Sequence, residues 1–177
     1  MIEELQTQGN IRLTLFLRPA KHVLKTNVDN IRIIEGDSED HCALTRSIAR
    51  HDVVFLNLAG RSGEVSRNIT TAMKETGVGR IIVICPIAVY ETPLTPIVVP
   101  YKKIADVIRN SGLEHTIIQP TWLTSTGRLH YKVTGEVEFG KGIAISQSQL
   151  FPLINKIMMA HEKFMLKNLQ ISIPNSQ

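Results

Sequence analysis

Two stretches of this chain, Val53-Val54-Phe55-Leu56 and Ile81-Ile82-Val83-Ile84, are apolar at consecutive positions and too short to be helices. A strand that alternates apolar and polar residues buries one face. A strand that is apolar throughout buries both, the pattern of a parallel sheet covered by helices on each side. Short Ile- and Val-rich runs at Ile11–Leu17, Ile31–Ile34 and Thr116–Ile118 extend the series. Helical spacing fills the intervals. Glu39–Arg50 sets Cys42, Leu44, Ile48 and Ala49 on one side, and Gly63–Thr76 carries Val65, Ile69, Ala72 and Met73, with Gly77 placed to end it. Pro100–Ser111 repeats Tyr101, Ile104, Ala105, Val107 and Ile108 before Gly112. Strands alternating with crossover helices predict an α/β fold, a Rossmann-like doubly wound parallel sheet.

The chain's 177 residues suit one domain, 1–177, with a small substrate-side excursion around 121–145 where glycines at 127, 135, 140 and 142 separate short β-like pieces. Ser146-Gln147-Ser148-Gln149 fits a capping box opening a helix to about Glu162, and Leu169–Ile173 reads as a last strand. With 43% hydrophobic and 20% charged residues the composition is that of an ordinary globular chain. No stretch approaches the ~20 apolar residues of a membrane span. Met1-Ile2-Glu3-Glu4 lacks the basic start of a signal peptide, so a cytoplasmic location with no membrane partner is expected. The net charge of +4 comes from scattered Lys and Arg without interleaved aromatics, which argues against a nucleic-acid partner. Cys42 and Cys85 read as two reduced thiols, and none of the six histidines has metal-ligand or triad spacing. Met158, Met159 and Met165 read as core packing.

Only a helix stub, Met1–Gln8, precedes Ile11–Leu17, whose ending Leu17-Arg18-Pro19 suits the second strand of such a sheet. The first strand and its Gly-rich turn, whose backbone N–H groups hold a pyrophosphate, are therefore expected to be lacking. In the usual strand order the first strand is central. Each buried backbone group left unpaired costs about 1–3 kcal/mol, against a total stability of about 5–15 kcal/mol. The expectation is that Ile11–Leu17 pairs directly with Val53–Leu58, that another chain supplies a strand through self-association at the exposed central sheet, or that the natural start lies upstream of Met1.

The strand ends carry the candidate site. Arg18 stands where an arginine accommodates the extra phosphate of NADP, although an exposed arginine also fits there. In Glu35-Gly36-Asp37 the aspartate suits either an adenine contact or a turn and helix start. Asn57-Leu58-Ala59-Gly60 lets a ligand approach the backbone, and equally makes a turn. Lys103 and Asp106 are spaced for a surface i,i+3 ion pair. Tyr90 and Tyr101 read as packing residues, and Pro93, Pro96 and Pro100 stiffen the segment before the helix.

Taken in order, Leu15-Phe16-Leu17-Arg18-Pro19, Glu35-Gly36-Asp37, Asn57-Leu58-Ala59-Gly60, Gly79-Arg80-Ile81-Ile82-Val83-Ile84, Ala88-Val89-Tyr90-Glu91, Ser111–Pro120 and Trp122-Leu123-Thr124 resemble the NAD(P)H-binding, NmrA-like group of atypical short-chain dehydrogenases/reductases. The resemblance implies NADP(H) as cofactor. Arg18 would mark the NADP preference, Asp37 would contact adenine, and Leu58, Ala59 and Gly60 would line the ribose. Pro120, Thr121 and Trp122 would run past the nicotinamide. Lys103 would be a cofactor-ribose contact and a weak catalytic candidate. The implied activity is NADPH-dependent reduction of a small carbonyl, quinone or flavin-type acceptor. The alternatives are a non-enzymatic NADP-binding sensor of a small effector and a shortened homologue that binds no dinucleotide. Three departures bear on this. Cys85-Pro86-Ile87 stands where relatives commonly show Ser, Tyr101 is followed four positions later by Ala105 and not by the Lys of a YxxxK pair, and Gln119 replaces the usual Arg before Pro120.

Overall fold

A computed structural model describes residues 5, 11–18, 31–58, 63–85, 93, 96–120, 123–124, 132–134, 145–160, 164 and 166–172. In chain order the elements are β1 (Leu13–Leu17), β2 (Ile31–Glu35), α1 (His41–Ile48), β3 (Val53–Leu56), α2 (Gly63–Thr76), β4 (Arg80–Ile84), α3 (Val99–Arg109), β5 (Glu114–Pro120), β6 (Leu123–Thr124), β7 (Lys132–Thr134), β8 (Ile145–Ser146), α4 (Gln147–Met159) and β9 (Lys167–Ser172). The strands and helices expected from Ile11 onward are thus present, with ends shifted by a few residues, while the expected helix Met1–Gln8 lies, apart from Leu5, outside the described residues. Gly77 and Gly112 end α2 and lie beyond α3 with φ of 73° and 77°, the left-handed conformation that glycine adopts without strain.

Five strands form one sheet in the order β3-β4-β5-β9-β7, parallel through β9, with β7 antiparallel at the edge. Consecutive residues of the central strands enter opposite cores. Ile81, Val83 and Ile117 pack with Leu44, Ile69, Met73, Ile104 and Ile108 from α1, α2 and α3. Ile82 and Ile118 pack with Leu150, Leu153, Ile154 and Ile157 of α4. Both faces are covered, which is why these strands carry no polar alternation.

Arg80 is the exception that ties the layers together. It is only 3% exposed, yet it opens an apolar strand. Its Nη2 donates to the carbonyl of Ile157 at 2.6 Å and its Nη1 to that of Met158 at 3.1 Å. These carbonyls belong to the last turn of α4, where helix geometry provides no backbone donor and the dipole favours a cation. Burial lowers the guanidinium pKa, and Glu114 on the neighbouring strand acts in the opposite sense.

Two expectations about helix faces need correction. In α1 the buried residues are Ala43, Leu44, Ser47 and Ile48, while Cys42 is exposed. Ser47 tolerates burial because its hydroxyl donates to the Leu44 carbonyl at 2.8 Å. In α4 Met158 packs against the core but Met159 is 53% exposed; Met165 lies outside the described residues.

The first two strands pair in parallel, Leu13 opposite Ile31 through Leu17 opposite Glu35, and form a sheet of their own. The expected direct pairing of Ile11–Leu17 with Val53–Leu58 is not made among the described residues. A cavity of about 600 Å³ lies between β1 and β3 instead, lined by both strands, by Leu44 and Ile48 of α1 and by Met158 of α4. Apolar side chains from helices on both sides, Leu44, Ile48 and Met158, border the space that separates the two strands. Leu5 also lines the cavity and is 4% exposed. A hydrogen bond of 2.9 Å between His51 Nε2 and Thr14 Oγ1 joins β1 to the turn before β3.

Candidate functional site

Because β1 to β5 run parallel within their sheets, their carboxyl ends share one rim, and Arg18, Gly36, Ser38, Asn57 and Leu58 line the same cavity there. In open α/β sheets ligands bind outside the carboxyl ends, where strand order switches direction. Here the switch falls between β1, which leads outward to β2, and β3, which leads the other way to β4.

The β1 and β2 ends bring Arg18 and Asp37 together, with Arg18 Nη2 3.6 Å from Asp37 Oδ1. The side chains are 53% and 56% exposed, so the pair is worth no more than about 1 kcal/mol and leaves the guanidinium able to change partners. Asp37 Oδ1 also accepts the Glu39 N–H at 3.0 Å, so the turn reading of this residue holds. The helix cap is Asp40, whose Oδ1 accepts the Ala43 N–H at 3.0 Å. Gly36 donates its N–H to the Leu17 carbonyl at 2.9 Å, and a Cβ there would come within 2.7 Å of the Phe16 ring. Only glycine lets that ring lie against the end of β2.

Leu58 packs against the core beyond β3; Ala59 and Gly60 lie outside the described residues, as do Thr121 and Trp122. Lys103 is exposed on the second turn of α3, and its Cβ is 3.4 Å from where a Cβ on Gly63 would stand, at the N-terminus of α2. The ion pair expected between Lys103 and Asp106 is made by Lys102 instead, at i,i+4. Lys103 therefore has no ion-pair partner among the described residues.

Pro120 ends β5, next to Gln119, which is 1% exposed and whose Nε2 has no hydrogen-bond partner among the described residues. Cys85, at the carboxyl end of β4, is fully buried, its thiol 3.9 Å from the Tyr101 carbonyl. Burial pushes this thiol's pKa up to about 12, so it is protonated and a poor nucleophile at neutral pH. Ellman's reagent should titrate Cys42 rapidly in the folded chain and Cys85 only after unfolding in urea; two fast thiols would contradict this burial. Tyr101 packs half-buried against the core, as expected. Ser38 escaped the sequence reading, for nothing marks it except its place just after Asp37. Among the described residues no group of three His, Cys, Asp or Glu side chains is placed to hold a metal. No described helix is long and apolar enough to cross a membrane.

The sequence matches the model of the NAD(P)H-binding family over residues 1–157. No curated protein matches it significantly. Among solved structures it is similar to a Rossmann-fold NAD(P)-binding family protein from Shigella flexneri, at 32% identity and a TM-score of 0.86, over 99% of this chain and 87% of that one. A short-chain dehydrogenase/reductase from Veillonella parvula DSM 2008, solved in complex with NADP, superposes with a TM-score of 0.85 at 20% identity, over 98% of this chain and 88% of the other. The anaerobillin reductase ChuY from Escherichia coli O157:H7 shares the fold at 12% identity and a TM-score of 0.83, over 99% and 91% of the two chains.

Proposed function

The chain belongs to the NAD(P)H-binding family, and from that premise we propose that it binds NADPH at the carboxyl ends of β1, β2 and β3 and reduces a small carbonyl, quinone or flavin-type acceptor. The observation that carries the reading is the exposed Arg18 guanidinium at the rim of the cavity, held by a weak pair with Asp37. The donor set suits the adenosine half of the cofactor. The guanidinium offers paired N–H donors to a 2′-phosphate, a stronger anion than the carboxylate it would leave. Asp37 is free to accept from the adenine amino group once released. Leu58, with Ala59 and Gly60, would line the ribose. Lys103, exposed beside the N-terminus of α2, would reach the ribose or phosphate side. Pro120 and Trp122 would flank the nicotinamide. The Veillonella relative, solved with NADP, supports the choice of cofactor.

When bound, the dinucleotide supplies the hydride; the protein binds, orients and excludes water. Proton delivery is the weak point. Ala105 stands four residues after Tyr101 and is fully buried, so the Tyr-Lys pair of a YxxxK motif is not formed there, and the Cys85 thiol is held protonated. This favours, as the second reading, an NADP-binding sensor without turnover.

Titrating NADPH against the fluorescence of Trp122, the only tryptophan, and then following NADPH oxidation with carbonyl, quinone and flavin acceptors separates these readings. Saturable binding with turnover of any acceptor class supports the reductase. Binding without turnover leaves the sensor. No response to NADPH or NADH at millimolar concentrations overturns both.

A further inference from the structure

Gln119 carries an unused donor at the carboxyl end of β5. Its side chain is almost wholly buried, and its Nε2 has no hydrogen-bond partner among the described residues. Ile117, two residues earlier and so on the same face of the strand, packs with Ile104 and Ile108 of α3. The Cys85 N–H donates to the Ile118 carbonyl at 2.9 Å, which continues the register of β4 against β5 and sets Cys85 beside Gln119. The Cys85 thiol lies 3.9 Å from the Tyr101 carbonyl, so the first turn of α3 covers these two strand ends. The neighbours leave the amide unsatisfied. Cys85 spends its weak donor on α3. Asn168, opposite Ile117 on β9 and on the same face, has an Oδ1 that also lacks a partner among the described residues, so the two amides do not bond each other.

A buried amide donor is costly to leave unpaired, and an oxygen brought in by a ligand removes that cost. We propose that, within the reductase reading on which this rests, Gln119 Nε2 holds the carbonyl oxygen of the hydride acceptor, and that the acceptor is a quinone. Two observations choose the quinone. The start of α3 is apolar: Ile97 and Val99 are 77% and 37% exposed, with Val98 buried in the core between them. An uncharged ring suits that surface better than the polar chain of a flavin. Proton supply is the second. An amide donates a hydrogen bond but no proton, and the Cys85 thiol beside it keeps its own, its pKa pushed up by burial to about 12. A ketone or aldehyde that accepts a hydride becomes an alkoxide, about as basic as hydroxide, whose conjugate acid has a pKa of about 16, and it needs an acid within the site. A quinone becomes a hydroquinone monoanion, a phenolate whose conjugate acid has a pKa of about 10, which an amide N–H holds until water protonates it. One hydride from NADPH and one proton from water thus give the hydroquinone and NADP+.

The test dialyses trace duroquinone against excess 177-residue chain loaded with NADP+, beside 1,2,4,5-tetramethylbenzene, which has the same ring and methyl groups without the oxygens. Duroquinone has no free ring position, so it does not arylate the exposed Cys42. The chain should bind duroquinone at least about tenfold more tightly than the hydrocarbon, the margin of one buried hydrogen bond. In Gln119→Met, which keeps the length and removes the donor, this preference should vanish, while the affinity for NADPH by calorimetry changes less than about twofold. Gln119→Asn draws the donor back by one methylene and should lose most of the preference as well. With NADPH, the unaltered chain should reduce duroquinone and leave benzaldehyde untouched. Equal affinity of the unaltered chain for the two probes, a measurement that needs no variant, overturns this proposal alone when NADPH binds. Failure to bind NADPH overturns the reductase reading together with it. A preference kept in both variants places the oxygen elsewhere, and turnover of benzaldehyde or of a flavin ahead of duroquinone removes the quinone; either result overturns the proposal.

Discussion

Replacing Arg80 with methionine should destabilise the fold by about 2–4 kcal/mol, a loss comparable to a large truncation in the core. The methionine keeps the volume and the apolar stem but strands the Ile157 and Met158 carbonyls, both of which now accept from the guanidinium. Each orphaned buried acceptor costs about 1–3 kcal/mol, offset in part by relief from burying a charge. At about 2–4 °C per kcal/mol for a chain of this size, the melting temperature should fall by roughly 5–15 °C. Urea or thermal unfolding measures this directly. Arg80→Lys, with a charge but no planar fork, should recover part of the loss. A methionine variant as stable as the parent would mean that burying the guanidinium is energetically neutral, and that α4 is held by Leu150, Leu153, Ile154 and Ile157 alone.

Arg80 also shows where sequence reading stops. An arginine at the head of an apolar strand reads as a solvent-facing residue, and nothing local indicates that the end of a helix almost eighty residues later covers it. What was legible were features with local causes. The doubly apolar strands, the span of α2 and the glycine stops at 77 and 112 follow from periodicity and backbone sterics. Helix faces were less secure where a polar residue takes a core place, as Ser47 does by bonding the preceding turn while Cys42 turns outward. The Lys103–Asp106 pair failed by one residue because i,i+4 geometry favours Lys102. Direct pairing of β1 with β3 was argued from the cost of orphaned backbone groups. The two strands instead stay apart across a cavity that Leu44 and Ile48 of α1 and Met158 of α4 line from the two helix layers.

In the site, the approach of Arg18 to Asp37 was legible as two strand ends, but their mutual ion pair was not, since it depends on the register of β1 against β2. That pair sets the second large effect. Arg18→Glu replaces a donor fork with a repelling charge beside Asp37, and it should weaken NADPH binding by about a hundredfold. NADH has no 2′-phosphate to lose contact with, so its affinity should change by less than about threefold, within the range of surface electrostatics. Arg18→Gln should fall between the two. An equal loss for both cofactors would place Arg18 in general folding or in pyrophosphate binding, not in the discrimination of NADPH.

The central claim is that the carboxyl-end rim of β1, β2 and β3 is a dinucleotide site with an NADP preference. Isothermal titration calorimetry of the unaltered chain with NADPH and with NADH tests it most directly. The expected result is one site per chain, with NADPH bound at least about tenfold more tightly, the margin of one charge-assisted contact to the extra phosphate. No heat from either cofactor at millimolar concentration, or the same affinity for both, would contradict it.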